Sequence, residues 1–143
     1  HRNHLGVMTA NPVVLGATPA VVNFTTGVDI YGGDGLAAQA AFGTSYGLRA
    51  GDVDGDGVVK YSGNPNDLAP LRNSFFVDGN STGSLSYAGP EVTGVYSRAD
   101  INMDGNIRNT TDVPVLRNTI LQYPGNTSQY LNTTLVQTKI PSQ

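Results

Sequence analysis

The first 45 residues carry short runs of β-branched and aromatic side chains that glycine and proline interrupt, a pattern typical of strands. Three runs stand out in this part of the chain: Val13–Leu15, Val21–Phe24 and Val28–Tyr31. The alanine-rich stretch from Gly35 to Ala41 predicts one or two helical turns. We therefore predict that residues 5–31 form a small antiparallel sheet, or strands that need a partner sheet.

Two later segments place apolar residues on one face of a helix. Leu68, Leu71 and Phe75 have the spacing i, i+3, i+7. The same spacing returns in a second set, which comprises Val113, Leu116 and Ile120. In each segment an aspartate stands where an N-cap belongs and a proline falls in the first turn: Asp67 with Pro70, and Asp112 with Pro114. Each segment is predicted to be a short helix whose apolar face joins the core.

The chain repeats itself from Tyr46 onward. Two Asp-rich loops begin at Asp52 and Asp100, 48 residues apart, and each is followed by a Leu-Arg-Asn segment. A repeat of this length indicates duplicated structural units that pack on each other. We divide the chain into a β-rich N-terminal segment (1–45), tandem loop–helix repeats (46–128) and an extended C-terminal tail (129–143). The predicted fold class is α+β.

Two segments connect or follow the repeats. The stretch from Asp78 to Gly94 is rich in Gly and Ser and contains Pro90, which predicts an exposed connection. The tail has strand character from Thr133 to Ile140 and then meets Pro141.

The order of residues in both loops matches the donor pattern of a calcium site. Ca²⁺ takes six to eight oxygen ligands, and Asp or Asn at positions one, three and five of a tight loop supply three of them. Glycine at position six permits the turn, and a backbone carbonyl at position seven adds an oxygen. The first loop offers Asp52, Asp54, Asp56 and the Val58 carbonyl. The second offers Asp100, Asn102, Asp104 and the Asn106 carbonyl.

The ligand that closes each loop is less regular. An uninterrupted loop closes at position twelve, which is Gly63 in the first loop and Thr111 in the second. Asp67 stands at position sixteen and Asp112 at position thirteen. We predict that these two aspartates close the loops and that the inserted residues bulge outward, giving sites for two Ca²⁺ ions. Asp-Gly clusters also form ordinary turns, an alternative that the repeated match makes weaker.

At residues 50–76 and 98–122 the chain resembles dockerin-type repeats, which are paired calcium loop–helix units. Residues 51–63 are similar to dockerin-like repeats of large secreted bacterial surface proteins, and residues 1–8 to a segment seen just upstream of such repeats. The resemblance implies an extracellular, cell-surface setting and a structural role for calcium. A cellulosomal dockerin also recognises cohesin through positions ten and eleven of each loop. Those positions are Tyr61-Ser62 and Asn109-Thr110 here, where the insertions disturb the geometry.

Composition excludes several classes of function. The formal net charge of −3 leaves no basic field for nucleic acid. Charged residues make up 13% of the chain, against about 25% in ordinary soluble proteins, and seven of the ten aspartates belong to the two loops. The absence of Cys excludes disulfides and thiolate sites. No apolar run approaches about 18 residues, so we predict no membrane span, and His1 suggests a processed or truncated start.

The chain offers little for catalysis. Its only histidines are His1 and His4, so a histidine-based nucleophilic or metal site elsewhere is excluded. The acids outside the loops have no spacing that pairs them for glycoside hydrolysis: Asp29, Asp34, Asp78 and Glu91. Asp29 and Asp34 could instead form a further ion site or a plain turn. We predict that the protein is not an enzyme.

Two groups of residues are candidates for glycosylation or for carbohydrate binding. Five Asn-x-Ser/Thr sequons are candidate glycosylation sites: Asn23, Asn80, Asn109, Asn126 and Asn132. Seven tyrosines and no tryptophan give weak support for carbohydrate binding, and four of the tyrosines are candidates for stacking or for partial burial: Tyr87, Tyr96, Tyr123 and Tyr130.

The predicted function is that of an extracellular structural module rigidified by calcium, a subunit or domain of a surface filament or large adhesin. Strand-like segments at both ends, Val13–Ile30 and Leu131–Ile140, suggest self-association in which an N-terminal strand completes a neighbour's sheet. Other surface proteins are further candidate partners. The alternatives are a dockerin-type module that docks a cohesin-like partner, and a carbohydrate-binding module.

Overall fold

In the residues that the structure describes, the fold is of mixed α+β character, with two helices and two small antiparallel sheets. The computed structural model describes residues 3–77, 92–128, 130 and 136–140, with the backbone alone at 75–77. In chain order the elements are β1 (Gln39–Phe42), β2 (Ser45–Leu48), α1 (Leu68–Val77), β3 (Val92–Thr93), β4 (Asn106–Ile107) and α2 (Asp112–Leu121). Strands β1 and β2 form a hairpin, and β3 pairs with β4. Neither helix is of a length or apolarity that would carry this part of the chain through a membrane.

The predicted strands between residues 13 and 31 are wrong. That region forms no strand longer than a single bridge, at Ile30, and a 3₁₀ turn covers Phe24–Thr26. A run of β-branched residues forms a strand only when a neighbouring segment accepts its backbone hydrogen bonds. Here the chain forms bridges before Val13 and again at Ile30, but none between them. Its side chains are left in solvent, with Val14 85% and Val21 91% exposed.

The alanine-rich stretch behaves as predicted only over its first half. A 3₁₀ turn covers Gly35–Ala37, and Asp34 caps it by accepting the Leu36 N–H at 3.1 Å. The chain then extends into β1, where Gln39 pairs with Leu48 of β2. Pairing with β2 thus replaces the second half of the predicted helix.

Both predicted helices are present, and the described residues of their apolar faces are buried except Val113, which is partly buried; the side chain of Phe75 lies outside the described residues. Leu71, Leu116 and Ile120 are at most 1% exposed, and Leu68 is 9% exposed. The N-terminus of α1 is capped by Asn66, whose side chain accepts the Ala69 N–H at 2.9 Å. Thr111 is the N-cap residue of α2. The side chains of Asp67 and Asp112 are therefore not the caps that we predicted, and they serve the loops instead.

One apolar core joins residues from every part of the described chain. Besides the helix residues, it includes Leu5 from the N-terminal segment, Ile101 and Ile107 from the second loop, and Val136 from the tail, each at most 1% exposed. Full burial of one such side chain stabilises a fold by about 1.5–3 kcal/mol. The helices contact each other, so the two loops are held on one common core.

Extended segments from elsewhere in the chain flank both loops. The tail runs beside the first loop, where Val59 N–H donates to Val136 O at 2.9 Å and Thr138 N–H to Gly57 O at 2.7 Å. In the second loop β4 pairs with β3, which lies at the end of the predicted linker. Of the predicted tail strand, the described part forms single bridges at Gln137 and Lys139, and the remainder lies outside the described residues.

Candidate metal centre

The first loop brings three carboxylates together. Asp52, Asp54 and Asp56 each offer an oxygen, and these three atoms lie within 4.8 Å of one another. Oxygens that share one Ca²⁺ sit 2.3–2.6 Å from it in typical sites, so this spread fits a common ion. In the described part of the chain this is the one such group of three or more acidic or histidine side chains. The second loop has an amide, from Asn102, at the matching place.

Hydrogen bonds between residues two positions apart fix the direction of the side chains in each loop. In the first loop, the carboxylate of Asp54 accepts the Asp56 N–H at 3.0 Å, and that of Asp56 accepts the Val58 N–H at 2.8 Å. The second loop repeats both bonds with the side chains of Asn102 and Asp104, at 3.0 and 2.8 Å. The two position-five side chains therefore bind the N–H of position seven in the same way.

The first residue of each loop also turns inward. Asp52 Oδ1 accepts the Gly55 N–H at 2.8 Å. Asp100 accepts the N–H groups of Asp104 and Gly105 at 3.1 and 3.0 Å. The position-six glycines, Gly57 and Gly105, have φ of 82° and 83°, the left-handed turn expected of them.

Asp67 and Asp112 occupy equivalent places even though their spacing from the loop start differs by three residues. One oxygen of Asp67 accepts the N–H groups of positions two and three, Val53 and Asp54, at 2.7 and 3.3 Å. The other oxygen accepts the position-nine N–H, from Lys60, at 2.7 Å. Each carboxylate thus joins the beginning of its loop to its end.

The bonds of Asp112 follow the same scheme. Its Oδ1 accepts the N–H groups of Ile101 and Asn102 at 2.7 and 3.2 Å, and its Oδ2 accepts that of Arg108 at 2.7 Å. These donors stand at positions two, three and nine of the second loop. Both aspartates are fully buried. The extra residues of the first loop lie outside this frame, where Gly63, Asn64 and Pro65 are exposed.

Burial governs the acidity of the closing carboxylates. It raises the pKa of Asp67 to about 7, although three backbone N–H groups favour the charged form and the nearby Asp54 disfavours it. Burial also raises the pKa values of Asp112 and Asp52. These carboxyl groups therefore lack a positive partner strong enough to offset the burial of their charge. A bound divalent cation would supply that positive charge.

A basic residue at position nine of each loop is a feature that the sequence analysis missed. Lys60 Nζ lies 3.8 Å from Asp56 Oδ2, and Arg108 Nη1 lies 3.0 Å from Asp104 Oδ2. In each case the basic residue follows the position-five aspartate by four residues. That repeated spacing was the available signal. Such ion pairs lie at the surface and contribute little to the stability of the fold. They nevertheless place a positive charge beside the position-five aspartate of each loop.

The other candidate residues are engaged elsewhere or lie outside the loops. Asp34 accepts a hydrogen bond of 2.7 Å from the Tyr123 hydroxyl and caps a turn, so it serves as a structural acceptor. Asp29 is exposed, with φ of 57°. His4 pairs with Ala50 in a single antiparallel bridge. These bonds favour the plain-turn alternative for Asp34.

The sequons and tyrosines are spread over the surface. Asn23 is exposed but its side chain accepts the Thr25 N–H, while Asn126 donates to Ile120 O and Asn109 is partly buried. Tyr96 is 87% exposed, and Tyr130 packs edge-on against Tyr61 with ring centroids 5.6 Å apart. The predicted residues outside the described part of the chain are His1, Asp78, Asn80, Tyr87, Glu91 and Asn132.

Comparison of the chain with family models, with curated proteins and with solved structures found no match. The resemblance to dockerin-type repeats therefore stays a prediction, supported by the residues of the two loops alone.

Proposed function

We propose that this chain is an extracellular structural module that two calcium ions rigidify. The first ion would be held by Asp52, Asp54, Asp56, Asp67 and the Val58 carbonyl. The second would be held by Asp100, Asn102, Asp104, Asp112 and the Asn106 carbonyl. Calcium would supply positive charge at the point where the acidic side chains converge, and the chain would supply the oxygen donors.

The observation that carries this proposal is the equivalence of the two closing aspartates. Turns that arose independently would have no reason to bury a carboxylate on the N–H groups of positions two, three and nine twice, from different spacings. Carboxylate and carbonyl oxygens are the ligands that Ca²⁺ prefers. Each buried acid also costs free energy that a bound cation would recover.

Calcium would stabilise the fold by binding the native state alone. At a free concentration 100 times the dissociation constant, one site contributes about 2.7 kcal/mol, and two such sites contribute about twice that. A protein without disulfides gains from such a staple. This is the physical sense in which the module would be rigidified.

Calorimetric titration of the chelator-treated protein with calcium should give two bound ions per chain. Asp54→Asn should weaken the first site on the order of 100-fold, far more than it weakens the second, since ligand charge sets affinity in such loops. Asp104→Asn should do the same for the other site. Both residues are exposed, so folding should survive either change.

The matched control is Asp29→Asn, which removes one exposed acid outside the loops at a left-handed position that Asn tolerates. It should leave both sites unchanged. A wild-type protein that binds no calcium at micromolar to millimolar concentration, or a control that weakens binding as much as Asp54→Asn, would refute the proposal.

Self-association is the favoured partner mode because the N-terminal arm presents apolar side chains to solvent. Residues 3–9 fold back on their own chain, through bridges to Ala50, Lys139 and Ile30. Val14, Leu15 and Val21 are 85–91% exposed in the stretch that follows. Extended aliphatic segments without a partner are suited to strand addition by another copy.

Light scattering after size-exclusion chromatography in calcium tests this mode. We expect assemblies larger than the 15.0 kDa chain, and a monomer when Val14, Leu15 and Val21 are all changed to serine. Comparison with the chelator-treated protein would show whether assembly depends on calcium. A wild-type monomer at all concentrations tested would refute self-association and leave the calcium sites unaffected.

A cohesin-docking function has less support. In the first loop, the side chains at positions ten and eleven contact residue 130 of the same chain: Tyr61 through its ring, and Ser62 by donating to Tyr130 O at 3.2 Å. A partner that read these positions would first have to displace that contact.

A further inference from the structure

A single buried residue, Asn3, connects the starts of the two loops through its backbone and its side chain. Asn3 is 1% exposed. Its backbone carbonyl accepts the N–H groups of Gly51 and Asp52, at 2.9 and 3.1 Å, where the first loop begins. Its side-chain Nδ2 donates to the carbonyls of Arg98 and Asp100, at 3.0 and 2.7 Å, where the second loop begins.

These four bonds leave Asn3 little freedom. Only Cα and Cβ separate the backbone carbonyl from the side-chain amide group, so a shift of the Asn3 backbone disturbs both pairs of bonds together. Both first-position aspartates, Asp52 and Asp100, are bonded through their backbones. Asn3 therefore fixes the position of each relative to the other, across a contact that joins residues 97 positions apart in the chain.

A second contact crosses between the loops at the same place. The guanidinium of Arg98 lies against Gly55 of the first loop so closely that a Cβ at that position would overlap it. The backbone carbonyl of Arg98 is one of the two that Asn3 holds. A shift of the first loop would thus reach the start of the second loop through both Asn3 and Arg98.

We propose that Asn3 is a positioning residue that couples the two calcium sites, so that filling one loop raises the affinity of the other. This inference rests on the proposed function. Calcium at the first loop would fix Asp52, and hence the Asn3 carbonyl that holds its N–H. The amide of Asn3 would then hold Asp100 in place, and the second ion would bind a loop that is already ordered.

The test is a thermodynamic cycle on the whole chain. Calcium affinity of the first loop is measured with the second loop intact and with it disabled by Asp104→Asn. In the wild-type background, disabling the second loop should weaken calcium binding to the first about tenfold, within the usual range of coupling between sites. In the Asn3→Ala background the same change should alter that affinity less than about twofold.

Gln39 provides a matched control. It is also a buried amide, 1% exposed, whose Nε2 donates to a backbone carbonyl, that of Phe24, at 2.7 Å. Like Asn3, it has a side-chain oxygen without a hydrogen-bond partner in the described residues. Gln39→Ala should lower stability but preserve the tenfold coupling, because its bonds do not join the loops. Loss of coupling in both variants would show a general loss of order and overturn the role of Asn3.

A second measurement needs no change at Asn3. In ¹⁵N-labelled Asp104→Asn protein, calcium added to the first loop should shift the Asn3 side-chain amide resonances, while those of Gln39 stay in place. Independent binding of two ions by the wild type, or an Asn3 resonance that ignores calcium, would overturn the coupling and leave the proposed function standing. A wild type that binds no calcium would remove the proposed function itself.

Discussion

Replacing Asp67 by alanine should lower the free energy of unfolding by about 3 kcal/mol in the absence of calcium, because three backbone N–H groups lose their acceptor. Val53, Asp54 and Lys60 all donate to this carboxyl, which is fully buried. A buried donor without a partner costs about 1–3 kcal/mol, and entry of water offsets part of this sum. The measurement is denaturant unfolding in chelator at pH 6, where the wild-type carboxyl is largely neutral and the cost of burying its charge is small.

Asp112→Ala should have a comparable effect, since its carboxyl accepts the N–H groups at the same three positions. Asp54→Ala is the control, because Asp54 is exposed and its loss should cost less than about 1 kcal/mol. The loss of stability in Asp67→Asn should lie between those of Asp67→Ala and Asp54→Ala. One side-chain oxygen remains as an acceptor, but the new amide group faces a backbone N–H donor. If Asp67→Ala cost no more than Asp54→Ala, the closing bonds would not be what holds the loop together.

Short-range patterns were sufficient to predict the helices and the outline of the loops. The spacing of Leu71 and Leu116 identified the buried faces correctly, because helix periodicity is a local property. The outward bulge was also anticipated from the number of inserted residues, and Gly63 to Pro65 are exposed. The residue types of the loops also predict the donor set, which stays a prediction; the structure brings together Asp52, Asp54 and Asp56.

Long-range pairing was the part that the sequence could not supply. The run around Val14 and Val21 has the composition of a strand, yet whether it becomes one depends on a partner that no local pattern specifies. Asn3 gave no signal at all, because its bonds reach residues 95 and 97 positions away. The capping roles were misassigned for a related reason. An aspartate before a helix is ordinarily a cap. Only the folded structure shows that the side chain of Asp67 turns away from the helix and binds the N–H groups of the loop.

The pKa of Asp67 gives opposite pH dependences for the calcium-free and calcium-bound protein. Burial raises that pKa from 3.8 in the unfolded chain to about 7 in the fold. Between these values the folded state binds more protons than the unfolded state, so stability is fully present below pH 4 and is lost as the pH rises through 7. For a shift of this size the loss is about 4 kcal/mol. The calcium-free protein should therefore unfold more easily in denaturant at pH 8 than at pH 5.

Calcium should reverse this dependence because it binds the ionised carboxylate. Below pH 7 a proton must leave Asp67 for each ion that the first loop takes up, so the calcium affinity should fall about tenfold per pH unit. Calorimetry in two buffers of different ionisation enthalpy would detect the released proton at pH 6. In Asp67→Asn the calcium-free stability should lose most of its slope between pH 5 and 8, because the group that titrates in this range is gone. The slope that remains should come from Asp112 and Asp52, whose pKa values burial also raises. A wild-type slope that survives this substitution, or a calcium affinity that is the same at pH 5 and pH 8, would show that Asp67 is not the group that titrates.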